Sequence, residues 1–536
     1  AAAKEQTLHR KIQEAKYAMS LENELSKEQI LENYLNTIYF GRGAYGIQTA
    51  SQAYFAKDVA DLTIAEGAFL TGVTNAPSLF DPAYQEGNQE RAEARVDYII
   101  NGMVEEGWLS AEEAATVEFP EINDPQPTTA TTGTEGYIAT QVRHELVNEI
   151  GIAEEDIDRG GLRIVTTIDQ QHQEAAEAAV ADNLPEEPDD LKVGLVATRP
   201  GDGAITAMYG GADYSTEQLN TTTDAHLQAG SLFKIFTLIG AVEDGISTES
   251  VFAGPSPMEF QIEGQDEPYE VRNFRDAQYG QVDLREATAH SVNTIYVQLN
   301  EEIGPERTRE VAEQLGLPED TPGLDNELSN VLGPAAPTVL EMSTAYSVIA
   351  AQGEMAEPYL VSAVTSENGV YDYEHTVDTD EVVDPDVTAD VTEAMTHVIT
   401  DGSGVSAGDL GRPAAGKSGT SENNKSAWFN GFVPQLTGTV GMYQGDGTVA
   451  MQDIGEFDQI TGGTYPARIW GDFMRNALEG EPIEVAFNAR YLIDALSVID
   501  TAQVTLELRD PTSPGVIRPV GGGDFVHVFM PMYTAR

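Results

Sequence analysis

Apolar residues recur at helical spacing near the start of the chain. Ser26 and Gln29 stand in capping-box spacing, and Ile30, Leu31, Tyr34, Leu35 and Ile38 follow at three- and four-residue steps. A helix with one buried face is expected there. The string GRGAYGI, Gly41 to Ile47, interrupts the pattern before helical runs resume over Ile64 to Leu70 and Ala92 to Met103. Residues 1–115 therefore read as an all-helical unit. Between 119 and 135 the periodicity gives way to a stretch rich in Pro, Thr and Gly, which places a linker within 116–160.

From Leu162 the text turns to β-branched strands, LRIVTTI, VGLVAT and AITAMYGG, interleaved with helical segments near 170–183, 231–244 and 283–300. Strands and helices mixed in this way predict an α/β domain over 161–485. Past Phe487 the pattern weakens. TAQVTLELRD and FVHVFM are the strand-like strings of a C-terminal extension, 486–536, to which no function is assigned.

A chain of 536 residues exceeds one hydrophobic core, which agrees with that division. The 89 acidic against 29 basic residues give a net charge of -60, and a field of that sign repels a polyanion, so nucleic-acid binding is excluded as a main role. The acids are dispersed along the chain and describe a solvated acidic surface. With no cysteine, disulfides, thiol catalysis and Cys-ligated metals are excluded, and the eight histidines form no H-x-H or H-E-x-x-H pair, so no metal site is expected. No apolar run reaches the ~18 residues of a membrane span, and no signal peptide opens the chain.

Lysine is scarce: after Lys192 only Lys234, Lys417 and Lys425 remain. Lys234 lies in AGSLFKIF, three residues after Ser231, among apolar residues that predict a buried helix. A serine hydroxyl needs a base, and a lysine serves when burial lowers its pKa. The backbone N–H groups of a helix start beside Ser231 suit an oxyanion. Two further strings support the pair: HSVNTIY with Ser291 and Asn293, and AGKSGTSENN with Lys417, Ser418, Gly419 and Thr420. Each alone reads as a helix cap, a turn or a strand end; the order S-x-x-K, S-x-N, K-S-G-T is what makes a site of them.

With these motifs the chain resembles the class A penicillin-binding proteins, the bifunctional enzymes that polymerise and cross-link peptidoglycan. GGLRIVTTID (Gly160 to Asp169) and AWFNGFVP (Ala427 to Pro434) extend the likeness. The resemblance implies a multidomain chain: a partial all-α, lysozyme-like glycosyltransferase domain, then an α/β serine transpeptidase domain of β-lactamase-like fold, its antiparallel sheet flanked by helices. It implies Ser231 as nucleophile, Lys234 as base, and Ser291 as proton relay. Asn293 would hold the acyl amide, while Lys417, Ser418 and Thr420 receive the substrate carboxylate. The N–H groups of Ser231 and Thr420 would form the oxyanion hole, with Gly419 allowing close approach of substrate. No cofactor is expected for this chemistry.

In the first region RKIQEAKYAMSLE (Arg10 to Glu22), the run Ser26 to Lys57 and the run Leu62 to Pro82 are similar to later motifs of the glycosyltransferase. By that resemblance Glu14 is a catalytic carboxylate, and Arg10, Lys11 and Arg42 contact pyrophosphate; five of the nine lysines fall in the first 57 residues. The family's membrane helix, its E-D-x-x-F-x-x-H motif and its G-G-S-T-I-T-Q-Q string have no counterpart. The expectation is an N-terminally truncated domain without polymerising activity, whose fuller parent uses a divalent cation, Mg or Mn. Implied partners are stem peptides, lipid II, β-lactam antibiotics and cell-wall synthesis complexes, at the extracytoplasmic face of a bacterial membrane. Hydrolysis of the same acyl-enzyme, as a D,D-carboxypeptidase, and a β-lactam-sensing binding module are the competing readings.

Overall fold

The computed structural model describes residues 25–83, 87–124, 132–159, 161–185, 190–262, 264, 267–366 and 369–479, with the backbone of three strands nearer the C-terminus. Two compact units emerge. The first comprises Ala1–Thr128, Leu146–Arg163 and Val364–Asp372; the second comprises Thr129–Glu145, Ile164–Ala363 and Tyr373–Arg536.

The first unit is helical. Its α1 (Lys27–Thr37) opens with the expected box: the Ser26 hydroxyl accepts from Gln29 N–H, and the Gln29 side chain accepts from Ser26 N–H. The expected buried face of α1 is a correction. No residue of α1 is buried, Leu31 and Tyr34 are more than half exposed, and only Leu35 and Ile38 pack partly on the core. Periodicity tells which side chains share a face; whether a neighbour covers that face is a tertiary matter.

The core belongs to α2 (Ile47–Phe55), α3 (Ile64–Val73) and α4 (Asn88–Glu105), where Tyr54, Phe55 and Phe69 meet edge to face. Between α1 and α2, Arg42 is clamped. Its Nε and Nη2 donate to the two carboxylate oxygens of Asp81 at 2.6 and 2.7 Å, its Nη1 donates to the Asn123 carbonyl at 2.7 Å, and the guanidinium lies over the Tyr54 ring. The pair is almost wholly buried, with side-chain exposures of 5% and 0%. Removing one partner strands the other's charge, so Asp81→Ala is expected to destabilise this unit by about 3 to 5 kcal/mol. Hydrogen exchange should show lost protection across α2 to α4 with the second unit unaffected; unchanged protection would refute the clamp.

The segment expected as a linker, 116–160, contains two helices, Glu135–Asn148 and Glu154–Arg159. The Pro- and Thr-rich stretch accounts only for its early part, because beyond it Tyr137, Val142 and Leu146 supply apolar residues that are buried.

The second unit is built on a five-stranded antiparallel sheet. Its strands are β1 (Leu191–Thr198), β2 (Ile205–Tyr209), β3 (Ala415–Thr420), β4 (Ser426–Val433) and β5 (Leu436–Gln444), in the order β3-β4-β5-β1-β2. Helices cover both faces, so β4 is buried along its whole length and reads as a nearly continuous apolar run. On one face α5 (Gln170–Asn183) packs with α11 (Tyr465–Ala477). The cross-strand glycines Gly431 and Gly438 make a slot for the Trp470 indole: a Cβ on either would stand 2.7 or 3.0 Å from it. On the opposite face α9 (Val339–Ala350) packs near α6 (Lys234–Glu243), and Val339 approaches Gly441 of β5. Three further helices frame the site: α7 (Leu284–Ala289), α8 (Asn293–Ile303) and α10 (Pro385–Thr400). A helical unit followed by an antiparallel sheet flanked by helices is the fold class expected. The two strand-like strings of the extension contain Val504–Glu507 and His527–Phe529, which pair with a strand the sequence reading did not name, Gly515–Pro519, in a separate three-stranded antiparallel sheet.

Candidate active site

Ser231 does not begin an α-helix. It sits in a 3-10 turn, Gly230–Phe233, that runs into α6 at Lys234. The tighter turn explains the pairing better than the expected α-helix, because positions i and i+3 eclipse in a 3-10 helix. Lys234 Nζ lies 3.0 Å from Ser231 Oγ. The turn is held from two sides. The carbonyl of Gln228 accepts from Ser426 Oγ at 2.6 Å and from the Trp428 indole at 2.8 Å, and the carbonyl of Leu232 accepts from the buried Tyr346 hydroxyl at 2.9 Å.

Gly230 has φ +56, and a Cβ there would lie 2.4 Å from the Thr420 carbonyl oxygen and 2.8 Å from its nitrogen. Glycine is therefore required on both counts. The close approach brings the residue before Ser231 against the backbone of Thr420. At Gly419 the missing Cβ would meet the Ala229 carbonyl at 2.6 Å and Leu232 at 2.9 Å, so its smallness lets β3 pack on the Ser231 turn.

Ser291 follows α7 with φ +55, a left-handed conformation uncommon for a residue with a Cβ, and Asn293 opens α8 two residues later. Lys234 Nζ reaches the Ser291 carbonyl at 2.7 Å, Ser291 Oγ at 3.0 Å and Asn293 Oδ1 at 2.6 Å. From β3, Lys417 Nζ donates to Ser291 Oγ at 2.8 Å and to the Ser418 carbonyl at 2.9 Å. Ser291 Oγ thus lies between both amines. Because it accepts from Lys417, its own proton is left for a third group.

Both lysines are fully buried, and among the described residues their hydrogen-bond partners are hydroxyl, amide and carbonyl oxygens. Burial pushes Lys417 down to about 7. Burial, with the nearby Lys417 charge, pushes Lys234 well below the ordinary lysine range. A neutral Lys234 has two N–H bonds and one lone pair. Its two shortest contacts, Asn293 Oδ1 and the Ser291 carbonyl, are pure acceptors and take the hydrogens. The lone pair remains for the Ser231 hydroxyl, which is the arrangement of a general base.

On β3, Thr420 Oγ1 accepts from Gly462 N–H at 3.0 Å, leaving its proton to donate. Ser418 Oγ lies 2.7 Å from Ser403 Oγ. Asn293 Nδ2 donates to the Arg272 carbonyl at 2.8 Å, so one of its two hydrogens is already committed. Ser231, Lys234, Ser291, Asn293, Lys417, Ser418 and Thr420 therefore converge on one cleft. Arg42 belongs to the first unit, where it is engaged with Asp81 and not presented as a phosphate contact; Glu14, Arg10 and Lys11 lie outside the described residues. Sequence reasoning missed Ser403, because a serine in the string DGSG looks like any turn residue. It missed Gly230 and Arg272 because their contributions are made through the main chain.

The transglycosylase family matches residues 1–104, and the penicillin binding protein transpeptidase domain matches residues 193–446. A third family, the C-terminal domain of the beta chain of DNA polymerase III, matches residues 471–533, which overlap α11 and otherwise fall largely outside the described residues. Penicillin-binding protein 1A of Mycobacterium tuberculosis is 35% identical over 96% of this chain and 65% of its own length. Penicillin-binding protein 1A of Mycolicibacterium smegmatis is 34% identical, with 62% of its length covered. This chain thus spans somewhat under two thirds of these two relatives. Penicillin-binding protein 2D of Bacillus subtilis is 32% identical over 90% of this chain and 69% of its own length. Among solved structures, the penicillin-binding protein PonA1 of M. tuberculosis superposes with a TM-score of 0.59 at 30% identity, covering 66% of this chain and 94% of that one. PonA1 has also been solved in complex with penicillin V. Penicillin-binding protein 1A of Haemophilus influenzae shares the fold with a TM-score of 0.69 at 21% identity, covering 94% of this chain and 91% of its own. These matches, over a chain that sets Ser231 and Ser291 beside two buried amines in a helix-flanked sheet, place it in the class A penicillin-binding proteins.

Proposed function

We propose that this chain carries out D,D-transpeptidation, cross-linking peptidoglycan stem peptides through an acyl-enzyme at Ser231. The observation that carries the reading is the Lys234 amine, buried and poised at 3.0 Å from Ser231 Oγ. Lys234 takes the hydroxyl proton as Ser231 Oγ attacks the penultimate carbonyl of a peptide ending in D-Ala-D-Ala. The oxyanion forms against the N–H groups of Ser231 and Thr420. Ser291 passes a proton to the leaving nitrogen and is reprotonated from the lysine pair, so the C–N bond breaks and D-alanine departs. An amine of a neighbouring strand then attacks the ester, returns a proton along the same path and frees Ser231. Lys417, Ser418 and Thr420 hold the terminal carboxylate.

The same carbonyl chemistry makes β-lactams acylate Ser231, and the PonA1 complex with penicillin V supports this reading. The match of residues 1–104 to the transglycosylase family supports polymerisation of lipid II by the whole protein. Such substrates put its work on the wall side of the membrane. Among the described residues no helix is long and apolar enough to cross a membrane, and no group of three His, Asp or Glu side chains is arranged to hold a metal ion.

Incubation with benzylpenicillin followed by peptide mass mapping tests the reading. One covalent adduct on the peptide that contains Ser231 is expected. With a stem pentapeptide and an amine acceptor, D-alanine should appear together with cross-linked product. No adduct, or an adduct elsewhere, would refute the assignment, and D-alanine without cross-linked product would turn it into a carboxypeptidase.

A further inference from the structure

Ser403, whose hydroxyl lies against that of Ser418, has no role assigned so far. Ser418 belongs to β3, one position after Lys417, and is nearly buried, with 7% exposure. Ser403 comes from the loop that follows α10. Its place is set by its main chain: Ser403 N–H donates to the Ala289 carbonyl at 2.8 Å, at the end of α7 and two residues before Ser291. On the other side a Cβ on Gly463 would lie 2.4 Å from the Ser403 carbonyl oxygen, so the loop is pressed against the turn that also supplies Gly462 N–H to Thr420. Gly402 is equally constrained, since a Cβ there would meet the Ala289 carbonyl at 2.3 Å. The Ser403 side chain therefore has a fixed origin between the Ser291 turn and β3.

We propose that Ser403 is a positioning residue for the substrate carboxylate, acting through Ser418. This rests on the acyl-transfer reading of Ser231. A hydroxyl has one hydrogen and two lone pairs, so of two oxygens 2.7 Å apart only one donates to the other. A carboxylate accepts and cannot donate. Its arrival selects the orientation in which Ser403 donates to Ser418 and Ser418 donates to the anion. Each bond in such a chain polarises the next, and it does so beside Lys417, whose amine is held on the Ser418 carbonyl. Without Ser403, the Ser418 hydroxyl loses the partner that turns its hydrogen outward. The effect should then be confined to ligands that bring a carboxylate.

The test compares benzylpenicillin with its methyl ester, which keeps the β-lactam ring but masks the carboxylate. Second-order acylation rates are read on the unaltered chain, Ser403→Ala and Ser403→Thr. Ser403→Ala is expected to slow benzylpenicillin about 3- to 10-fold, the size of one hydrogen bond between neutral groups, and to leave the ester within about twofold. Ser403→Thr, which restores a hydroxyl on the same anchored backbone, should recover most of the benzylpenicillin rate. Equal losses on both ligands, or no loss on either, would overturn the role of Ser403 while leaving Ser231 acylation standing. Absence of any adduct on the unaltered chain would instead bring down the acyl-transfer reading, and this inference with it.

Discussion

Lys234→Met is expected to slow acylation of Ser231 by about 10³-fold or more, while the second unit stays folded. The amine is the base within reach of Ser231 Oγ, at 3.0 Å, and general-base help of this kind is typically worth about 10² to 10⁴ in rate. The second unit should tolerate the change. Lys234 stands between Phe233 and Ile235 in a turn whose apolar neighbours are fully buried, and methionine fills a similar volume without a charge. The acceptors it abandons on Ser291 and Asn293 belong to residues that remain partly exposed to the cleft, where water replaces the lost bonds. A time course of penicillin adduct by intact mass, with the thermal midpoint measured alongside, decides the matter. Acylation within about tenfold of the unaltered rate would mean that another group removes the proton.

The second large effect concerns Lys417, where activity and stability should move in opposite directions. In an unfolded chain its ammonium titrates near about 10.4. In the folded protein burial holds it at about 7. Between those values the unfolded chain binds a proton that the folded chain lacks. Stability therefore falls as pH drops from about 10 to about 7 and then levels off. Lys417→Met removes this contribution. It should flatten the pH dependence over that window and raise stability at pH 7 by about 1 to 4 kcal/mol, as replacement of buried charge by apolar volume often does. The same substitution takes away a donor to Ser291 Oγ and the amine proposed to face the substrate carboxylate, so acylation by penicillin should drop by about 10² or more. Denaturant unfolding at pH 7 and pH 10 checks the first half. A variant no more stable than the parent at pH 7 would show that the buried amine costs nothing, and the account of its pKa would fail. Because Lys234 is shifted in the same direction, the variant should keep part of the original slope.

Lys234 is legible in the sequence for a simple reason. A lysine inside an apolar run is costly to bury, so Lys234 among Leu232, Phe233, Ile235 and Phe236 stands out on one-dimensional inspection. Capping boxes at Ser26, and strands as continuously apolar as β4, are legible on the same terms, because each depends on neighbours within a few residues. The linker region was overdrawn because Pro and Thr mark irregular chain only where they stand, and the two helices of 116–160 begin after them.

What the sequence by itself determined is the inventory and order of the chemistry: a serine three residues before a buried lysine, then Ser291 and Asn293, then Lys417 through Thr420. Local spacing carries that information, together with the division into a helical part and a mixed part. Tertiary structure alone decided which groups touch. Ser291 Oγ lies between Lys234 and Lys417 because α7, α6 and β3 meet there, across 57 and 126 residues of chain. Gly419 turned out to serve packing, Arg42 turned out to be clamped by Asp81, and α1 kept most of its apolar face uncovered by any described neighbour. Ser403 entered the site through a carbonyl at Ala289 and a glycine at 463. The physical reason is common to all five. Hydrogen bonds and close packing act over about 3 Å whatever the separation in sequence, and no local pattern records a partner that only folding supplies.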